Sequence, residues 1–173
     1  ATEQFLADHP DIADATSKIA AAGDPPRSWA TMAFNSLNAY RLVNAAGDGR
    51  YVRWRLDPEA GEEALPVAER ATADNDYLMT GILERVPVRF RLLAQLAHVD
   101  DQTTDASKAW PADREWADMG LIEITGPDPQ RERDGDILVN DPTRVTDGIE
   151  LSDDPILRIR TYVYGESVRR RSG

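Results

Sequence analysis

Ser152-Asp153-Asp154-Pro155-Ile156-Leu157-Arg158-Ile159-Arg160-Thr161-Tyr162-Val163-Tyr164-Gly165-Glu166-Ser167-Val168-Arg169-Arg170-Arg171 is the stretch whose reading decides the fold. Pro155 stands at the first helical position behind Asp153 and Asp154, where acidic charge suits a helix N-terminus. From there the chain can run as one helix into the basic triplet, the sign a helix dipole favours at its C-terminus. Arg160 and Tyr164 are four apart and therefore stack on one helical face. A permanent cation beside a phenol favours the phenolate, a hard anionic ligand suited to ferric iron. The same pair also fits a surface amphipathic helix, and on spacing alone that plainer reading is preferred.

Upstream of this helix the chain alternates between strand and loop. Glu3 to Ala22 reads as a helix in two pieces, broken at His9-Pro10 and stopped by Gly23-Asp24-Pro25-Pro26. Met32 to Asn44, a turn at Ala45-Ala46-Gly47-Asp48-Gly49, and Arg50 to Leu56 form a hairpin. In its second strand Val52, Trp54 and Leu56 alternate with Tyr51, Arg53 and Arg55. Asp57 to Gly61 is a loop, and Glu62 to Val86 reads as two helices joined near Asp74-Asn75-Asp76. Val88 to Ala97 is a third strand, Asp100 to Glu115 a polar loop, and Met119 to Thr125 a fourth strand. A polar connection from Gln130 to Asp136 leads into Ile137-Leu138-Val139-Asn140-Asp141-Pro142 and then Gly148-Ile149-Glu150. The class is α+β, with an antiparallel sheet and helices outside it. An open sheet of this kind exposes two edges, which helices or strands from elsewhere must cover.

Composition narrows the function. A chain of 173 residues with 41% hydrophobic content can form one domain with a core. Its apolar runs are too short to cross a membrane. A net charge of -11 argues against nucleic acid and anionic membranes as partners. The lack of cysteine excludes a disulfide framework and thiolate metal sites, and fits a cytoplasmic location while leaving a periplasmic or secreted one open. No signal peptide is visible, and a start at Ala1 rather than methionine suggests a trimmed, cleaved or partial chain. There is no phosphate-binding loop, dinucleotide fingerprint or Ser-His-Asp pattern. Asp100-Asp101 and Asp153-Asp154 lack the spacing of a calcium loop, and the latter pair reads as helix-start charge.

In this order the segments resemble the haem catalases, and most closely their smaller relatives, the catalase-related peroxidases. Asn38-Ala39-Tyr40-Arg41-Leu42-Val43-Asn44-Ala45-Ala46-Gly47 is similar to the family's barrel hairpin. Thr104-Asp105-Ala106-Ser107-Lys108-Ala109-Trp110-Pro111 is similar to its Asp-x-(Thr/Ser)-Lys-x-Trp-Pro loop. Asn140-Asp141-Pro142, Asp147-Gly148-Ile149-Glu150 and Ser152-Asp153-Asp154 match the approach to the proximal helix. Arg160-Thr161-Tyr162-Val163-Tyr164-Gly165-Glu166-Ser167 falls on the Arg-x-aromatic-x-Tyr-x-acidic-(Ser/Thr) signature. The likeness runs from about Phe5 to the end.

The resemblance implies a haem b protein acting on hydrogen peroxide, with an organic reductant where it works as a peroxidase. Tyr164 takes the place of the axial iron ligand, and Tyr is the axial ligand generally given for catalases. Arg160 matches the arginine on the phenolate, Arg171 an arginine on a haem propionate, and Ile156 a residue facing the porphyrin. Val139 or Asn140 would line the same side, although Asn140 departs from the aromatic residue of the large catalases. Tyr162 points to another face and reads as packing.

Peroxide cleavage also needs a distal acid-base residue, which in the family is a histidine upstream of the resembled region. The chain has two histidines, His9 and His98, and neither aligns with it. No catalytic residue is therefore assigned within residues 1–173, and the distal histidine is expected in an N-terminal half that is cleaved, separate or missing. The implied fold is a catalase-like antiparallel β-barrel, about half of it supplied here as a single domain, with homo-oligomer formation open. The competing readings are a non-catalytic haem-binding fragment and a relative acting on organic, fatty-acid hydroperoxides.

Overall fold

The computed structural model describes residues 2–10, 12, 23–131, 133 and 137–172. The second helical piece expected before Gly23, and part of the expected polar connection at residues 132 and 134–136, lie outside these residues.

The expected hairpin is present and organises the sheet. Strand β2 (Tyr40–Val43) turns through Asn44 and Asp48 into β3 (Gly49–Pro58), with Tyr40 opposite Val52 and Val43 opposite Gly49. The strand expected over residues 32–44 is split, because β1 (Phe34–Asn35) pairs separately with Leu56 and Arg55 of β3. Between the two pieces the Ser36 side chain accepts from the Trp54 amide at 2.8 Å, replacing a ladder bond. Leu37 is consequently turned out to solvent.

Strand β4 (Val88–Leu96) adds to the other side of β3, and β5 (Trp116–Ile124) to β4. Strand β6 (Ile149–Leu151) pairs with β2. All pairings are antiparallel, and the order is β5-β4-β3-β2-β6 with β1 beside β3. Strand β5 starts three residues earlier than its apolar run indicates, because a register shift opposite Leu92 and Leu93 lets pairing continue to Trp116. Gly120 makes the shift possible with φ 115, and its amide donates to the Asp118 carboxylate at 2.9 Å. The sheet does not close into a barrel among the described residues; β5 and β6 are its edges.

Alternation along β3 and β4 sorts the two faces. Val52, Leu56, Phe90 and Ala94 lie on the apolar one. Its best-packed part is Ala30, Val88 and Phe90, wrapped by Phe34, Leu56, Ile82 and Ile124. The opposite face carries cross-strand pairs, Arg41 with Glu150, Arg91 with Asp118 and Arg89 with Glu123. Exposed pairs of this kind contribute little stability.

Both helices expected within residues 62–86 are present, and both are shorter than that stretch. Helix α2 (Val67–Arg70) starts at Pro66, and α3 (Tyr77–Leu83) follows the Asp74-Asn75-Asp76 turn. Helix α1 (Thr2–Asp8) precedes the exposed His9. Helix α4 (Pro155–Arg171) is the long one, as expected. No described helix is long and apolar enough to cross a membrane.

Candidate functional site

Helix α4 begins on a buried cap. Asp154 is 1% exposed, and its carboxylate accepts the Ile156 amide at 2.8 Å while Pro155 occupies the first turn. Leu157, fully buried, ties the first turn to the protein body. One turn on, the Arg160 guanidinium donates to the Tyr164 phenolic oxygen at 3.0 Å and lies 5.6 Å from its ring centre. The expected pair is formed, with both side chains half-buried.

The pair does not stand alone. Arg160 also donates to the Asn38 side-chain oxygen at 3.2 Å, and the Asn38 amide donates to Asp154 at 2.9 Å. Asn38 is 4% exposed. A connected series therefore runs Asp154, Asn38, Arg160, Tyr164, with the carboxylate at one end and the phenol at the other. In the sequence Asp154 reads as helix-start charge alone, and Asn38 carries no signal of a site role. The missed signal was conformational: only the split between β1 and β2 brings a polar residue from the hairpin beneath the helix.

The strap at residues 138–143 lies along another side of α4. Asp141 accepts from Thr143 and Thr161, and Tyr40 donates from its hydroxyl to the Pro142 carbonyl at 3.0 Å. The Asp141 carboxyl is held below the usual carboxylate range, first by the Thr143 amide. Burial pushes the Tyr40 phenol up, while Arg160 pulls it the other way.

Ile156, Arg160, Tyr164 and Arg171 share a helical arc of roughly 80°, and Ile156 is 58% exposed. Arg171 donates to the Leu138 carbonyl at 2.8 Å. Beside this arc runs an open apolar groove of about 700 Å³ lined by Ile159, Tyr162, Val163, Ser167 and Arg171. Ile159 and Val163, exposed and one turn apart, line this groove, a position that the sequence pattern alone does not assign them. Its packing role for Tyr162 is corrected: the side chain is 79% exposed, because that part of α4 has nothing packed on it among the described residues.

Neither histidine joins the site. His9 packs against the Phe5 ring at 4.5 Å, and His98 sits on the surface 3.3 Å from Asp100. Val139 is half-buried and Asn140 exposed on the strap. No cluster of His, Cys, Asp and Glu able to hold a metal occurs among the described residues. An iron here would have to rest on the phenol and on donors of the group that carries it.

The model of the Catalase family matches residues 3–173. A catalase-related peroxidase of Mycolicibacterium paratuberculosis is 43% identical over 171 residues, covering 97% of this chain and 54% of that protein. One from Synechococcus elongatus is 31% identical over 161 residues, covering 91% of this chain and 48% of that protein. The chain thus spans about half the length of these curated relatives. Among solved structures, a bacterial catalase superposes with a TM-score of 0.77 at 20% identity, over 98% of this chain and 36% of its own. Catalase A from Saccharomyces cerevisiae gives 0.73 at 21% identity, over 86% and 33%. These two likenesses show a shared fold.

Proposed function

The chain belongs to the catalase family, and we propose that it forms the iron-holding half of a haem-dependent, peroxide-degrading enzyme. The observation that carries this reading is the Arg160–Tyr164 hydrogen bond, backed by Asn38 and Asp154. The residues fit a haem b group. The apolar groove offers a flat wall of Ile159 and Val163, Ile156 extends it, and Arg171 stands at the far end of the helix for a propionate. Haem iron, when bound, supplies the redox chemistry that breaks the peroxide bond.

The chain's own residues hold and orient. Tyr164 offers a phenolic oxygen as iron ligand, and Arg160 orients it by donating a hydrogen bond from a permanently charged guanidinium. Asn38 fixes the second guanidinium nitrogen, so Arg160 cannot swing away from the phenol. Asp154 in turn fixes Asn38 and starts the helix that carries both site residues.

The acid-base residue above the iron is proposed to come from chain N-terminal to this domain, since the matched relatives are about twice as long and His9 and His98 are engaged elsewhere. A non-catalytic haem-binding role is the second reading, favoured by those same two histidines. Titrating the chain with ferric haem and following the Soret band tests the cofactor: saturable binding of one haem per chain is expected, and no saturation contradicts it. In the longer protein, oxygen evolution from hydrogen peroxide separates catalase behaviour from oxidation of an organic reductant, and fatty-acid hydroperoxides serve as the alternative oxidant. Absence of all three activities would leave the binding role alone.

A further inference from the structure

Helix α4 runs for 17 residues and buries a single side chain, Leu157. One apolar contact in the first turn cannot fix how the rest of the helix is rotated about its own axis. Yet that rotation decides whether Arg160 reaches Asn38 and where the Tyr164 phenol points. Polar contacts must set it, and the series described above supplies one of them past the first turn, Arg160 on Asn38 at 3.2 Å.

The second grip is on the neighbouring residue. The Thr161 hydroxyl donates to the Asp141 carboxylate at 3.2 Å and lies 3.0 Å from the Thr143 hydroxyl. Consecutive residues point about 100° apart around an α-helix. Arg160 is thus held on the hairpin side and Thr161 on the strap side. A helix gripped at two points so far apart around its axis cannot roll, whereas one grip leaves it free to.

The strap is itself anchored. One Asp141 carboxylate oxygen accepts the Thr143 amide at 2.9 Å, the Thr143 hydroxyl at 2.8 Å and the Thr161 hydroxyl, closing a turn across Pro142. The Pro142 carbonyl accepts the Tyr40 hydroxyl at 3.0 Å, which ties the strap to β2. Tyr40 stands two residues from Asn38, so both grips on α4 lead back to the same stretch of the hairpin.

We propose that Asp141 is a positioning residue of the Tyr164 site: it clips Thr161 to the strap, fixes the roll of α4, and so keeps Arg160 between Asn38 and the phenol. The proposal deepens the haem-ligand reading and rests on it for one of its two readouts.

The test uses Thr161→Val, which removes the hydroxyl and keeps the shape, Thr161→Ser, which keeps the hydroxyl, and Asp141→Ala. The valine and alanine variants are also combined. The first readout, independent of haem, is the Asn38 side-chain amide resonance in the haem-free chain, assigned by its loss in Asn38→Asp; a helix that rolls must move it. The second is ferric haem affinity. Thr161→Val and Asp141→Ala are each expected to shift the Asn38 resonance and to weaken haem binding about threefold or more, and the double variant to lose little beyond Asp141→Ala alone. Thr161→Ser should stay close to wild type in both readouts. An Asn38 resonance unmoved in Thr161→Val, a serine variant as impaired as the valine one, or additive losses in the double variant overturns the proposal. Should Asp141→Ala fail to fold, the valine and serine pair decides alone. If the wild-type chain binds no haem, the ligand reading fails, and the Asn38 resonance still decides whether the Asp141–Thr161 clip sets the helix.

Discussion

Tyr164 accepts a hydrogen bond from Arg160, and Arg160 donates another to Asn38, 122 positions earlier in the chain. A hydrogen bond from a charged donor is worth about 1.5–3 kcal/mol. Arg160→Ala is therefore expected to weaken ferric haem retention roughly tenfold or more, measured by haem transfer to an apo-acceptor; unchanged retention would contradict the role given to the guanidinium. At Asp154 the two functions separate. Asp154→Ala loses the helix cap and strands the Asn38 amide, a combined cost of roughly 2–3 kcal/mol in urea unfolding. Asp154→Asn keeps a capping oxygen and is expected to cost clearly less; equal losses would mean the cap is not what the carboxylate provides.

At the scale of elements, the loop from His98 to Arg114 is pinned by one carboxylate. Asp101 accepts both Arg114 nitrogens at 2.8 and 2.9 Å and the His98 amide at 2.7 Å. The Arg114 hydrogen bonds hold its carboxyl below the usual range. A depressed folded-state pKa contributes stability above the unfolded value, near ~3.9, and that contribution fades as pH falls through the folded value. The near-UV circular dichroism of Trp110 should thus show an acid step below roughly pH 4, and Asp101→Asn should remove it; a step that persists in the variant would place the latch elsewhere. Strand β5 gives a second check, because Gly120 at φ 115 cannot take a side chain without strain. Gly120→Ala is expected to cost about 1–3 kcal/mol, although no atom lies within 4 Å of the added carbon.

Elements were legible in the sequence where period and punctuation agreed. The hairpin turn, β4 and α4 each carry both, and Pro155 behind Asp154 marked the helix start within its cap. The Arg160–Tyr164 pair was legible for the same reason, being local to one helix. Asn38 was not, since its role depends on Ser36 breaking the strand and on register across to β3. Helices α2 and α3 were overread because alanine-rich composition indicates helix while Pro66 and the Asp74-Asn75-Asp76 turn shorten it.

At the scale of the whole molecule, two runs of exposed apolar side chains stand out among the described residues. Trp116, Met119, Leu121 and Ile122 are exposed along edge strand β5, and Ile156, Ile159 and Val163 along α4. We assign the first to the rest of a longer chain and the second to the haem. Binding of an apolar dye is then expected to be strong for the isolated domain, lower with haem, and lowest in the longer protein. Equal dye binding in all three would argue against both assignments. The central claim, that Tyr164 is the iron ligand, is tested most directly by the absorbance spectrum of the ferric haem complex. Wild type is expected to give a high-spin ferric spectrum with a phenolate charge-transfer band, lost in Tyr164→Phe; an identical spectrum in the variant would contradict it.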